Sequence, residues 1–440
     1  MTATFVERPI LSLHTGTYFQ GTEASVEGRL GLTNLAGQGE QVTLSLEKGS
    51  EALGEVAATL TKPRVGGGPW TASLDAHGRT RSWAASSSFD ERSLGGGVKL
   101  ASDDGRHTAG YSSAWRTLAD GTRHASGAVK AQAGHALKSA VFYSGRAGRT
   151  VGVGPSEDGA VGSYSLEVAG LGWGGGGGGR QASASTSSST PPSSGLGLVR
   201  HVRQQVSAAW HAPLASLAPS LFGPLGRGAA WGEAAGLHAT ATAGLLLPFG
   251  GRGGSGRRAS PPTTTSLSDR FFLGGFGGLS GSSTLRGFGL RGVGPVDARH
   301  VPALSPGRGG GGAPPTTTPP PSNPRPWDFL GGDAVGSLTV AARVRLPWAW
   351  ARETGIFGHA FLNGGGLALL GEGGGQGGGL LAAAAGAVRA SAAGARWSAG
   401  VGLVWPTVAG NLEVDWVRVL RAASSDVSKS GLSVGFTPRS

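Results

Sequence analysis

The chain has 440 residues, of which 83 are glycine, 15% are charged and none is cysteine, and its formal net charge is +12. So much glycine with so little charge argues against an ordinary soluble α/β enzyme, and the lack of cysteine excludes disulfides, thiolate metal sites and cysteine nucleophiles. Arginine and lysine are scattered, without a compact basic run or a recognition helix. We therefore predict no nucleic-acid partner and place the charge in a lumen and in solvent loops.

From residue 11 onward, short segments alternate apolar with polar residues, and turn residues separate them. In residues 24–33 and 42–47 every second residue along the chain is apolar or glycine. This is the period of a β-strand with one apolar face. The pattern predicts sixteen strands, at residues 11–19, 24–33, 42–47, 55–60, 71–77, 94–101, 107–118, 137–144, 161–170, 198–211, 229–248, 338–346, 355–363, 397–406, 411–420 and 431–437. Alternation alone also fits a soluble sandwich.

The sequence predicts no transmembrane helix, and two other features favour a membrane barrel over a sandwich. The longest uncharged apolar run, residues 380–388, ends at Arg389 and falls short of the roughly 18 residues that a transmembrane helix needs. Residues 338–346 carry arginines opposite a clean aliphatic face, which a water-filled lumen allows. Residues 397–406 have a tryptophan at each end of their apolar face, as two membrane interfaces require.

Low-complexity inserts rich in Gly, Ser, Thr and Pro interrupt the strands. The inserts lie at residues 173–197, 250–267, 304–326 and 364–394. They follow strands nine, eleven and thirteen, which puts them all on the face away from the termini, and their composition predicts disorder. We therefore expect a short N-terminal segment, residues 1–10, and an all-β domain, residues 11–440, that forms a 16-stranded antiparallel transmembrane β-barrel.

Residues 269–295 are too apolar for a surface loop and too glycine-rich for a helix, so they need a sheltered place such as a barrel interior. Composition alone equally allows a surface Gly/Arg loop. The motif FFLGG, a spacer and LRGF resembles the sixth loop of the outer-membrane barrel-assembly insertases, the bacterial surface antigen family. In that family this loop folds into the barrel lumen, and its arginine docks on the inner wall.

This resemblance implies a lumenal loop motif. Its residues are Phe272, Gly274, Gly275, Leu285, Arg286, Gly287 and Phe288. Arg286 is then the lumenal anchor, Gly287 allows a close backbone approach, and Phe288 packs beside it. Because a buried arginine without an acceptor is costly, we expect Glu413 or Asp415 to be its partner; the sequence does not choose between them.

Other segments resemble the mitochondrial branch of the family, the barrel of the sorting and assembly machinery. They are residues 14–49, 331–347, 355–367 and 397–420. The resemblance implies an insertase for β-barrel precursors in the mitochondrial outer membrane, in contact with lipid and accessory subunits and without a cofactor. The family's N-terminal soluble domain has no room before strand one, and the N-terminus lacks a secretory signal, so we expect internal targeting signals or a fragment.

Strand pairing gives the implied mechanism, because an unpaired strand edge is a template for another chain. A weak seam between the first and last strands would open and add a precursor strand. The candidate lateral-gate residues are Leu13, Thr15, Thr17, Gly431, Ser433 and Gly435. The two glycines weaken a closing strand, but they equally give room to a tilted strand at a crowded closure.

No catalytic constellation accompanies these features, and we predict that the chain is not an enzyme. Residues 431–435 match G-x-S-x-G, but that chemistry needs a strand, a sharp turn and a helix, and only five residues follow. The ten histidines show no metal-binding spacing. The alternatives to an insertase are a protein-conducting channel of the chloroplast outer envelope, a plain diffusion pore and a soluble sandwich.

Overall fold

The structure is a computed structural model. The residues it describes are 10–20, 23–49, 54–122, 124–152, 154–171, 197–214, 235–249, 265–275, 284–300, 326–370, 380–407 and 410–438. The predicted inserts at 173–197, 250–267 and 304–326 lie outside these residues except at their edges.

Long antiparallel strands form one sheet, in which each pairs with its neighbours along the chain. They are β1 (Leu11–Gln20), β2 (Glu23–Thr33), β3 (Gln41–Gly49), β4 (Gly54–Lys62), β5 (Trp70–Ser82), β6 (Phe89–Ser102), β7 (His107–Asp120), β8 (Gly134–Val151), β9 (Asp158–Ala169), β11 (His201–Pro213), β12 (Ala235–Pro248), β15 (Ala334–Arg345), β16 (Phe357–Ala368), β17 (Arg396–Pro406), β18 (Gly410–Arg421) and β19 (Gly431–Pro438). The described residues thus contain sixteen long strands, and the predicted fold class and strand number are confirmed.

Shorter elements cap the sheet or lie against it. They are β10 (Gly197–Leu198), which runs parallel to β8, the hairpin of β13 (Val296–Ala298) and β14 (Trp327–Phe329), and the helices α1 (Ala84–Ser87), α2 (Gly127–Gln132), α3 (Ala349–Thr354) and α4 (Leu380–Ala393). Two 3-10 turns lie at Val65–Gly67 and Gly154–Ser156. No helix among the described residues is long and apolar enough to cross a membrane.

The alternation of side chains gives the sheet an apolar outer face and a more polar inner face. In β15, Leu338 and Val340 are exposed on the outside, whereas Thr339 and Ala341 are buried on the inside. Large apolar side chains recur at outward positions around the barrel, as lipid contact requires. At the end that carries the termini, Trp348 and Trp350 stack with ring centroids 5.9 Å apart, in the position of an interfacial aromatic belt.

The segment between β12 and β15, residues 249–333, is called the central loop, and its residues that the structure describes lie in the barrel interior. Its described part packs against the inner wall through one apolar cluster. The cluster comprises Phe271, Leu273, Leu285, Phe288 and Val293 of the loop with Leu246, Val335 and Leu367 of the wall. These side chains are almost completely buried, so the hydrophobic core of this protein lies in the lumen.

The sequence was wrong about the insert at residues 364–394. Strand β16 continues to Ala368, and residues Leu380–Ala393 form helix α4, the longest helix among the described residues. The strand continues because Gly364 and Gly366 lie on its outer face beneath Trp397 and α4, where a larger side chain would collide. The alanine-rich helix was missed because alanine gives almost no apolar periodicity, although its helix propensity is high.

Candidate functional site

Arg286 ends in an ion-pair network on the inner wall. Its Nη2 atom lies 2.5 Å from Oε2 of Glu413, and its Nε atom lies 3.2 Å from Oδ2 of Asp415. Both acids project from the inner face of β18, two residues apart. His359 of β16 contacts the second carboxylate, with Nε2 2.7 Å from Oδ1 of Asp415. The sequence left two acceptors open, and the structure brings the guanidinium to both.

The backbone of Arg286 is held as firmly as its side chain. The hydroxyl of Ser398 donates to the Arg286 carbonyl at 2.5 Å. With the Asn363 amide nitrogen turned toward Ser398, the amide oxygen accepts from the Arg286 backbone N–H at 2.8 Å. The ring of Phe361 lies 4.9 Å from the guanidinium carbon. Strands β16, β17 and β18 therefore all bind one loop residue, and no pattern in the sequence pointed to Ser398.

Gly287 brings the loop backbone against the wall. Its φ angle is +82°, and a Cβ atom there would lie 2.8 Å from Cγ1 of Val417 and 3.2 Å from Cγ2 of Val419. The loop then pairs with the β18–β19 connection, because Lys429 donates its backbone N–H to the Gly287 carbonyl at 2.8 Å. Only a residue without a side chain fits this approach.

We expect Gly287→Ala to destabilise the docked loop by about 1–3 kcal/mol, because the substitution adds both backbone strain and a steric clash. The measurement is the temperature at which the folded barrel loses its fast-migrating form in a detergent gel. Gly16→Ala is the matched control, since a Cβ atom at Gly16 meets nothing within 4 Å. An equal shift for both variants would contradict the close approach.

The other motif residues line the same docked segment. Phe272 is buried, and the guanidinium carbon of Arg291 lies 3.2 Å from its ring and 3.9 Å from the ring of Trp83. Gly275 pairs with Leu285 as a short bridge, and its N–H donates to the carbonyl of Phe288 at 3.0 Å. Gly274, with φ +125°, precedes this bridge. The aromatic pocket of Arg291 had no counterpart in the sequence analysis.

A second ion-pair network holds the start of the central loop. Asp269 is buried, and its Oδ1 atom lies 2.8 Å from both Nη1 of Arg116 and Nζ of Lys138. Lys138 also contacts Glu167 at 2.6 Å, and Glu167 contacts His201 at 2.8 Å. This network joins the loop to β7, β8, β9 and β11. These strands differ from β16, β17 and β18, which hold Arg286.

Both networks contain carboxylates and a histidine close enough to hold a metal ion. In each, however, a side-chain cation already lies between the carboxylates: Arg286 in one and Lys138 in the other. Burial would raise the pKa of Asp269, but Arg116 and Lys138 outweigh this effect and hold that pKa below its ordinary value. The chemistry of both sets is therefore that of buried ion pairs.

The predicted gate residues lie on the first and last strands. Leu13, Thr15 and Thr17 lie on β1, which pairs with β2 along its whole length, and Gly431, Ser433 and Gly435 lie on β19, which pairs with β18. The two strands approach to within 8 Å between Cα atoms. Among the described residues, no hydrogen-bonded ladder joins them. The sheet thus has a seam between β1 and β19.

The Omp85 superfamily domain model matches residues 201–436, more than half of the chain. The chain belongs to the Omp85 superfamily. Its fold is that of this superfamily's outer-membrane insertases and transporters, so the chain is an outer-membrane β-barrel. The match begins at β11 and includes the central loop and the last seven long strands, ending within β19.

A solved structure supports the same fold. The chain is similar to BamA from Haemophilus ducreyi lacking POTRA domains 1–3, with a TM-score of 0.66 and 13% identity over 98% of this chain and 71% of that one. It is also similar to CdiB from Acinetobacter baumannii, with a TM-score of 0.41 and 11% identity over 97% of this chain and 58% of that one. No curated protein sequence matches the chain.

Proposed function

We propose that this Omp85 protein inserts β-barrel precursors into the mitochondrial outer membrane, with accessory subunits and without a cofactor. The seam between β1 and β19 carries this proposal. Each strand is fully paired on one side, and no described ladder joins their facing edges. Such edges offer backbone donors and acceptors to an incoming strand, which adds by β-augmentation.

The docked loop supports this function because it braces the wall beside the seam. Arg286 binds Glu413 and Asp415 on β18, the strand that pairs with β19. The loop also pairs with the β18–β19 connection through Gly289 and Val427. The loop therefore holds the wall next to the seam from the lumen. As a result, β19 can exchange partners on the edge that faces β1 while its other edge stays in register with β18.

The same loop argues against a plain diffusion pore. A pore needs an open lumen, whereas the apolar cluster of the central loop occupies this one and two buried ion-pair networks fasten it there. Conduction would require those networks to break, at a cost of several kcal/mol.

The test is insertion by the purified full chain in vesicles of dioleoylphosphatidylcholine. A mitochondrial barrel precursor is added in urea, and its protease-resistant folded form is followed with time, in parallel with the efflux of a trapped dye. We expect the chain to speed folding well above empty vesicles and to release little dye. Dye release without faster folding would contradict the insertase proposal and favour a diffusion pore.

The organelle is tested separately by import of the radiolabelled chain into isolated mitochondria and isolated chloroplasts. We expect alkali-resistant integration into the mitochondrial outer membrane. Integration only into the chloroplast envelope would favour the protein-conducting channel of that membrane.

A further inference from the structure

Helix α4 lies on the outside of the barrel wall. Its buried residue Ala387 packs against Ala334 of β15 and Ala368 of β16. Gly366 of β16 is so close that a Cβ atom there would collide with the carbonyl oxygen of Ser391. Gly366 lies on the same face of β16 as Leu362, which is exposed on the outer surface. The helix therefore occupies the lipid side of the wall, near the end where the inserts emerge.

The part of α4 that does not touch the wall is apolar and uncovered. Leu381 is 82% exposed and Val388 is 50% exposed, and Arg389 is the only charged residue in the helix sequence. The helix contacts β16, β15 and β12, so it crosses several strands instead of following one. The helix therefore lies across the lipid side of these three strands and leaves apolar side chains uncovered.

A recess of about 540 Å³ lies beside this contact, between one side of α4 and the wall. Val206, Leu338, Val388 and Trp397 form its sides. Gly336 of β15 lies at its floor, where a Cβ atom would meet nothing within 4 Å. The recess is thus an apolar slot of the size of ordinary ligand pockets, roughly 300–1,000 Å³. It exists because Gly336 pairs with Ala243 and Gly366, and none of these three lining residues has a side chain larger than a methyl group.

We propose that this recess binds one acyl chain of a membrane phospholipid. The slot is continuous with the lipid-facing belt, because Val206 and Leu338 belong to both and are exposed to the bilayer. Water is a poor occupant, since few polar groups line the slot and an apolar cavity stays dry. The bilayer supplies long, thin, apolar chains at this depth, whereas a second helix would need a wider groove.

The substitution Gly336→Leu tests the site, because it puts a large side chain into the slot from a position where a Cβ atom meets nothing within 4 Å. The control is Gly162→Leu on β9. Gly162 also faces outward, since it pairs with Ala208 two positions from exposed Val206, and its nearest Cβ contact is 3.9 Å. Each protein is reconstituted in dioleoylphosphatidylcholine vesicles, extracted into detergent and weighed by native mass spectrometry.

We expect the unchanged chain and Gly162→Leu to retain one phospholipid through extraction, and Gly336→Leu to lose it at least severalfold. Equal retention by all three would overturn the proposal, as would a lipid-free chain that appears as a dimer, which would make a second copy the occupant. If Gly336→Leu fails to fold, Val388→Trp blocks the slot from the exposed helix face and must give the same loss.

Discussion

Arg286→Ala is expected to release the part of the central loop around Arg286 from the barrel wall and to destabilise the folded barrel by about 3–5 kcal/mol. This is the cost of breaking a buried ion pair from one side. The substitution leaves Glu413 and Asp415 buried with His359 as their remaining nearby partner. Removal of the cation also removes the contact with Phe361.

The chain contains no cysteine, so a single cysteine at Thr284, beside the anchor, reports on docking through its rate of reaction with a maleimide. We expect at least about a tenfold faster reaction after Arg286→Ala, because about 1.4 kcal/mol of lost docking energy gives that factor. Arg106→Ala is the control, since its pair with Asp104 is exposed, with side-chain exposures of 65% and 54%, and contributes little.

Two further variants separate charge from shape. Arg286→Lys keeps the charge but loses the planar fork, so an intermediate rate is expected. The double variant Arg286→Met with Glu413→Gln removes one orphaned charge and should be more stable than Arg286→Met alone. If the double variant is as unstable as the sum of its parts, Glu413 is not the partner that matters.

Asp269→Asn is expected to have the second largest effect, about 3 kcal/mol, because it leaves Arg116 and Lys138 buried with less negative charge. Thermal loss of the folded form in a detergent gel measures it, and Asp104→Asn in an exposed turn is the control. Since the Asp269 and Arg286 networks share no partner, their effects should add. A strongly less than additive pair would mean that the loop detaches as one unit.

The Asp269 contribution also has a defined pH dependence. Its folded-state pKa lies below the unfolded value of about 3.9. A depressed pKa stabilises the fold at every pH above the unfolded value and loses that contribution as the pH falls through the folded value. The difference between the unchanged chain and Asp269→Asn should therefore be constant from about pH 8 to pH 5 and shrink only below about pH 4.

The sequence predicted the strands well because a lipid-facing barrel needs an apolar residue at every second position, and that period survives in a single sequence. It also placed Glu413 and Asp415 on one face of one strand, since residues two apart share a face. The strand ends were predicted less well. Strand β8 runs to Val151, well past the predicted end at residue 144, because its last residues include arginine and glycine in place of aliphatic residues.

The partners of the central loop were mostly beyond the reach of the sequence. Asp269 meets Arg116 and Lys138, which lie 153 and 131 positions away, and no local pattern records such a contact. Arg291 lies among aromatic rings that come from the β5–β6 hairpin and from the loop itself. These residues become neighbours only when the barrel wall curves around the loop, so strand periodicity alone does not identify them.

The seam is tested most directly by site-specific photocrosslinking during import of a radiolabelled barrel precursor. A photoreactive residue is placed at Thr17 of β1 or Ser433 of β19, and at Val98 of β6 as an outward-facing control away from the seam. We predict adducts between the precursor's last strand and both seam positions, and none at the control. Crosslinks confined to β1 and β19 themselves, while the precursor is inserted normally, would show a closed seam and contradict lateral strand pairing.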